Sequence, residues 1–461
     1  MRPAAFILLS VLGLLSAITA VAPASPYVEW TFADIDTTVA SLFARNTLAI
    51  DANGTPHVAY MDFAAKDVKY ATRDGLGWLI EVVEDGAALD TPDVTSMPSL
   101  ALDSQGRPHV VYAASRDGAY ALIHAVRNSV IWNYDIVTTS TDWFFNYRLA
   151  LDVNDQPHVV YSIYSGAQMD LHYRTREVDI WSDSLVGEGD QAALVLTAAG
   201  QPLVVFRGWA GANLTHLRCA THTDTGWSLE ELAYLASWPE IALDVAGHAH
   251  LTCKFGSWVY YATNAPGVWT FTPIGQTITD ARSAPIAIDR LDLPVIVYPD
   301  SDHNLRWAYL LGESWTFDFI GDGYGFTWGL TPSLAFDPAR NPRTAFRGER
   351  GLQFARGTEA RSTGADVPAN MPHVLMAWPN PFNPLTTLRF DLPVRGRVRL
   401  EVYDVAGRLV RTLLDVDLPA GSHQAVWDGK DERGMGIASG SYFARLQTNS
   451  RGETVQMNLV R

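Results

Sequence analysis

One pattern recurs down this chain and constrains its fold more than any other feature. It is clearest as LAIDANGTPHVAY over 48–60, LALDSQGRPHVVY over 100–112 and LALDVNDQPHVVY over 149–161. Weaker copies follow as LVLTAAGQPLVVF, IALDVAGHAHLTC, IAIDRLDLPVIVY and LAFDPARNPRTAF. The anchor positions are Asp51, Asp103, Asp152, Thr197, Asp244, Asp289 and Asp337. Their mean spacing is about 48 residues, the length of a four-stranded propeller blade. Each copy reads as a β-hairpin: an apolar strand, an Asp followed by a Gly or Asn turn, and a second apolar strand.

Two more strand signals follow each hairpin. One has the form apolar-x-aromatic-Ala, as in VKYA (68–71), VYYA (259–262), LRWA (305–308) and LQFA (352–355). The other carries a tryptophan, at Trp78, Trp132, Trp181, Trp227, Trp269 and Trp315, once in each of the first six units. The seventh unit ends near 357 without such a strand, while YVEWTFADID, with Trp30, stands unpartnered ahead of the first. The expected architecture is therefore an all-β, seven-bladed propeller over 25–357, closed by an N-terminal strand that completes the last blade and removes an exposed edge.

Charge narrows the partners. The chain of 461 residues has 50 acidic and 34 basic side chains, a net −16, and residues 1–367 hold −18 of it. Such a surface repels phosphate backbones and anionic lipid headgroups, so nucleic-acid and membrane-surface partners are not expected. Residues 1–24 combine Arg2, a long apolar run and a terminal Ala22-Pro23-Ala24, the form of a secretory signal peptide. A membrane anchor is the alternative, disfavoured because the run is barely long enough and lacks a basic stop-transfer flank. The expected mature protein is a monomer, secreted or on the outer cell surface, with no membrane insertion.

The repeated residues read first as structure. Each Asp serves its own turn by bonding the backbone, and the loops lack the clustered oxygen ligands of a calcium site. His57, His109, His158 and His250 lie on different blades and cannot converge on one zinc, so neither metal nor cofactor is expected. Cys219 and Cys253 replace core aromatics in adjacent blades; a disulfide and a pair of small buried thiols are both open.

A ligand is expected on the face where loops between second and third strands meet the connections between blades. The candidate residues there are Trp143, Trp209, Trp238, Trp328, Asp62, Asp300 and Asp302, since rings beside carboxylates suit the apolar faces and hydroxyls of sugars. Arg207 and Arg347 each follow a core aromatic as FRG and hint at a carboxylate-binding pair. No catalytic residue can be assigned, because a carboxylate pair is defined by its separation in space. Nothing matches GxSxG, HExxH or a phosphate loop.

The propeller unit is similar to the repeat of secreted bacterial and archaeal propellers, a resemblance that implies fold rather than activity. It lacks the SxDxGxTW box of sialidases. After a polar linker over 358–372, the segments NPFNP (380–384), VYDVAGR (402–408), WDG (427–429) and SGSYFARL (439–446) resemble the immunoglobulin-like domain of flagellar hook-capping proteins and type A sorting domains of the type IX secretion system. That resemblance covers 373–461 and implies a small β-sandwich for sorting or surface attachment. The expected function is non-enzymatic binding or adhesion toward a glycan or surface protein, with a glycan-processing hydrolase as the second reading.

Overall fold

The computed structural model describes residues 27–39, 46–85, 98–116, 118–165, 168–177, 179–209, 215–278, 281–289, 291–311, 314–321, 331–348, 350–360, 375–378, 386–392, 395–418, 421–448 and 452–459. The signal peptide expected over 1–24, the linker over 358–372 beyond Ala360, and Trp328 lie outside them. The described residues form strands and turns with no α-helix, and no helix is long and apolar enough to cross a membrane.

Seven antiparallel four-stranded sets build the ring. Blade one is Asn46–Ile50, Pro56–Asp62, Asp67–Arg73 and Trp78–Glu84, in that order from the axis outward. Blades two, five and six repeat this order from Ser99–Leu102, Ser237–Leu243 and Ile286–Ile288. Blade seven has three strands of its own, Ser333–Phe336, Pro342–Gly348 and Gly351–Ala360; its fourth is the N-terminal Tyr27–Asp36, paired antiparallel with Gly351–Ala360. The expected closure is thus present. Blades three and four are fused, because Ser184–Leu196 is one strand that leaves the edge of blade three and continues as the inner strand of blade four.

The repeated tryptophans explain how neighbouring blades hold together. At six of the seven junctions the ring of one blade's third strand meets, edge to face, the tryptophan of the next blade's outer region. The pairs are Phe354–Trp78, Tyr70–Trp132, Tyr173–Trp227, Tyr261–Trp315 and Trp307–Trp30, with centroids 5.0–5.5 Å apart. Blade two uses His124 against Trp181 at 5.8 Å. Such pairs contribute about 1 kcal/mol each beyond the area they bury. Only the junction of blades four and five lacks one: Cys219 occupies the aromatic position, and Trp269 packs in the same apolar cluster.

The turn residues do as the repeat implied. Asp51 Oδ1 accepts from the Asn53 and Thr55 amides at 2.9 and 2.7 Å, and Asp103, Asp152 and Asp289 repeat the arrangement. Six residues on, the buried histidine bonds a third-strand partner through Nδ1: His57 with Tyr70 at 2.5 Å, His250 with Tyr261 at 2.6 Å, His158 with Tyr173, and His109 with His124 at 3.0 Å. The histidines therefore pin the blade interior, each in its own blade. Among the described residues no group of three or more His, Cys, Asp or Glu could hold a metal.

Of the two readings left open for the cysteines, the structure has the second: Cys219 and Cys253 are free thiols. Both are buried in one apolar cluster with Leu217, Leu251 and Ala262, where they fill space left by the missing rings. Burial pushes the Cys219 thiol up to about 12 and Cys253 further up, which keeps both protonated.

From Met376 to Leu459 the strands form a two-sheet sandwich. Met376–Trp378, Thr386–Leu392 and Gly421–Trp427 make one sheet; Leu409–Leu418, Gly396–Asp404, Gly440–Gln447 and Gly452–Leu459 make the other. Its core, with Leu388, Phe390, Leu400, Val402, Trp427, Leu446 and Met457, follows the apolar-polar alternation of the strands.

Candidate functional site

The inner strands of blades three, four and five each begin with a bulge at the same repeat position. The register slips between Phe145 and Arg148, between Asp190 and Ala193, and between Ser237 and Glu240. The bulged residues Asn146, Gln191 and Trp238 have left-handed φ values of 47°, 54° and 52°. None is glycine; asparagine tolerates this conformation, but Gln191 and Trp238 each cost about 1 kcal/mol or more of backbone strain. The case of Trp238 is the most severe, being bulky and followed by Pro239. Backbone strain held in place by its surroundings is characteristic of binding sites, and bulges re-aim side chains beside them.

These bulges lie at the loop-rich end of the ring, and the structure gathers three of the candidate residues there. Arg207 and Trp209 end the second strand of blade four, and Trp238 begins blade five. Buried Asp190 receives Arg207 side-on, with Nε to Oδ1 at 2.7 Å and Nη2 to Oδ2 at 2.5 Å. The same guanidinium lies 5.3 Å from the Trp209 ring centroid, and Arg282 lies 5.4 Å from that of Trp238. Gln191 Oε1 accepts from the Trp238 amide at 3.0 Å and so ties blade four to blade five. Gly189 makes room for this: a Cβ there would stand 2.4 Å from the Arg207 carbonyl oxygen. Both indoles are half-buried.

The other candidates stand apart. Trp143, half-buried, packs against Tyr120 at 6.0 Å in blade two. Asp62 is buried and binds Lys69 at 2.7 Å in blade one. Asp300 caps a turn, accepting from the Asp302 and Asn304 amides at 2.9 Å, and receives Arg306 Nε at 2.6 Å; Asp302 itself is exposed. Arg347 occupies the position of Arg207, but in blade seven, where it donates to the Val39 carbonyl at 2.6 Å, and burial lowers its pKa. The FRG arginines thus have separate partners. A third basic residue at that position, buried Lys254 in blade five, reaches the Ala281 carbonyl.

Sequence reasoning missed Asn146, Gln191, Asp190 and Arg282. The only signal for them was alignment of the repeat, which places Asn146, Gln191 and Trp238 in one column, each three residues ahead of a Leu or Ile, where no strand rule expects a tryptophan.

Residues 387–452 match the family model of the FlgD Ig-like domain, so the C-terminal sandwich is of that type. No curated protein sequence matches the chain. Among solved structures it is similar to PorZ, a surface component of the type IX secretion system of Porphyromonas gingivalis, at 10% identity and a TM-score of 0.35, over 88% of this chain and 68% of that one. It is also similar to a PL25 ulvan lyase at 13% identity and a TM-score of 0.48, over 68% of this chain and 94% of that one. A third is the Hadza microbial sialidase Hz136, at 11% identity and a TM-score of 0.44, over 64% of this chain and 74% of that one. Likeness at this level assigns no activity.

Proposed function

We propose that the chain is an exported, non-enzymatic binding protein whose propeller takes a glycan at the loop-rich end of blades four and five. In this reading residues 1–24 are a signal peptide, 25–357 the propeller, 358–372 a linker and 373–461 a sorting or surface-attachment domain, and the mature monomer is extracellular or held on the outer cell surface. The supporting observation is the strained Trp238, whose backbone amide is held by Gln191 of the inner strand of blade four, the strand that also carries Asp190 bound by Arg207. Aromatic rings held rigidly on strands suit the flat apolar face of a sugar.

A hydrolase is the second reading. It needs two carboxylates facing one bond, but Asp190 is bound by Arg207 and Glu240 by Arg148, which favours binding over turnover. Glycan-array binding without product release is the expected result. Turnover abolished by single carboxylate substitutions overturns it in favour of the hydrolase, and absence of glycan binding overturns both.

A further inference from the structure

We infer that the ligand of this site is a neutral sugar and that Asn146 is one of its hydrogen-bonding contacts; the inference rests on the glycan-binding reading above. Asn146 holds in blade three the position that Gln191 holds in blade four and Trp238 in blade five. Gln191 reaches forward and accepts from the next blade's bulged amide. The Asn146 side chain is one methylene shorter and makes no such bond. It is only 4% exposed, and its Oδ1 is buried without a partner among the described residues. A buried amide oxygen left unpaired is costly, and here it coincides with a left-handed backbone. An unpaired amide oxygen at a bulge beside strained backbone marks a place kept for something that arrives from outside.

The surroundings decide what that is. Two residues deeper along the same strands, Arg148 of blade three bonds Glu240 of blade five, closing the space below Asn146 and Trp238. The carboxylates of this sector are each bound by an arginine, Glu240 by Arg148 and Asp190 by Arg207, and the Arg282 guanidinium lies against the Trp238 ring. Neutral polar atoms are left here without a partner among the described residues: Asn146 Oδ1 and Ser162 Oγ in blade three, and Trp209 Nε1 in blade four. The amide oxygen accepts and the indole nitrogen donates. The hydroxyls of a sugar do both, whereas a carboxylate or sulfate only accepts and would face the Asn146 oxygen unfavourably. The −18 carried by the first 367 residues opposes an acidic glycan further.

The test is calorimetric titration of the full-length mature protein with neutral oligosaccharides and, separately, with uronate-containing and sialylated ones. Asn146→Gly removes the amide while keeping a residue suited to left-handed φ, and Trp238→Gly does the same for the ring; thermal melting checks that both variants fold. Binding of a neutral oligosaccharide at one site per chain, weakened about tenfold by Asn146→Gly and abolished by Trp238→Gly, is the expected result. Preference for the acidic panel overturns the neutral class but leaves the glycan reading standing. Unchanged affinity in folded Asn146→Gly, as would follow if water alone satisfies that oxygen, overturns the assignment of Asn146. No binding from either panel overturns the glycan reading itself.

Discussion

Arg148 Nη2 donates to Glu240 Oε1 at 3.3 Å, although the two residues belong to blades three and five. The bond passes the inner strand of blade four at Ala193, the residue that stands in register with both and is small enough to be bridged. Three consecutive blades are thereby locked at the axis, directly beneath the strained bulges. Both side chains are largely buried, at 17% and 22% exposure, so solvent screens the pair less than it would a surface bridge.

A double-mutant cycle on Arg148→Ala and Glu240→Ala, followed by denaturant unfolding, should therefore return a coupling of about 1 kcal/mol. Strict additivity would show that the bridge contributes nothing to the ring.

Closure by Tyr27–Asp36 gives Trp30 the same role as Trp78, Trp132, Trp181, Trp227 and Trp315, against Trp307 at 5.5 Å. Trp30→Ala should cost about 3 kcal/mol, and deletion of residues 25–36 should cost more and broaden the thermal transition. Equal melting midpoints for the full-length and deleted proteins would remove the closure from the account of stability.

Acid should weaken the propeller in a definite window. Burial depresses His57, His109 and His158 below the usual histidine value and drives His124 down to about 3. The unfolded chain then takes up these protons first. The stabilisation is complete above the unfolded value of about 6.5 and is lost as pH falls from there toward the folded values, by up to about 1.4 kcal/mol per pH unit for each histidine. Asp51, Asp103 and Asp244 are also lowered; burial opposes this, but turn amides and neighbouring side chains outweigh it, so a further loss follows below about pH 4. His124→Tyr restores the residue that blades one, three and five use, and should flatten the upper part of the decline. An unfolding free energy that stays level between pH 6.5 and 4.5 would contradict this.

Native protein should leave Cys219 and Cys253 unlabelled by a thiol reagent at pH 8, because both thiols are buried and protonated, whereas denatured protein should expose two. Labelling of neither after denaturation without reductant would reveal a disulfide.

The repeat made most of the ring legible, since a hairpin with an Asp turn and a tryptophan strand is a local pattern repeated at fixed spacing. Even the closing strand could be found by counting tryptophans against blades. The fusion of blades three and four left no mark, because Ser184–Leu196 differs from its counterparts only in lacking a break. Of the candidate site, Trp209, Trp238 and Arg207 stand out by residue type, but the bulge that carries Trp238 arises from how adjacent inner strands crowd the axis rather than from local propensity. Asp190 and Asn146 were invisible for the same reason. In the sandwich, Leu409–Leu418 escaped notice because its core-facing residues are only half-buried and its polar alternation is weak.

The N-terminal strand finally dictates an order of events. Its partner strand lies more than three hundred residues away, as in the bond from Thr31 to the Arg356 carbonyl across 325 positions. A chain that emerges N-terminus first must carry Tyr27–Asp36 without its partner until nearly the whole ring has been delivered. Contacts of such separation slow folding, and an unpaired strand with Phe32 on its face is open to pairing with another copy in the interval. The step that completes the seventh blade is thus also the step most exposed to domain exchange, and rapid dilution or a chaperone that shields that first strand should govern the yield of correctly closed monomer.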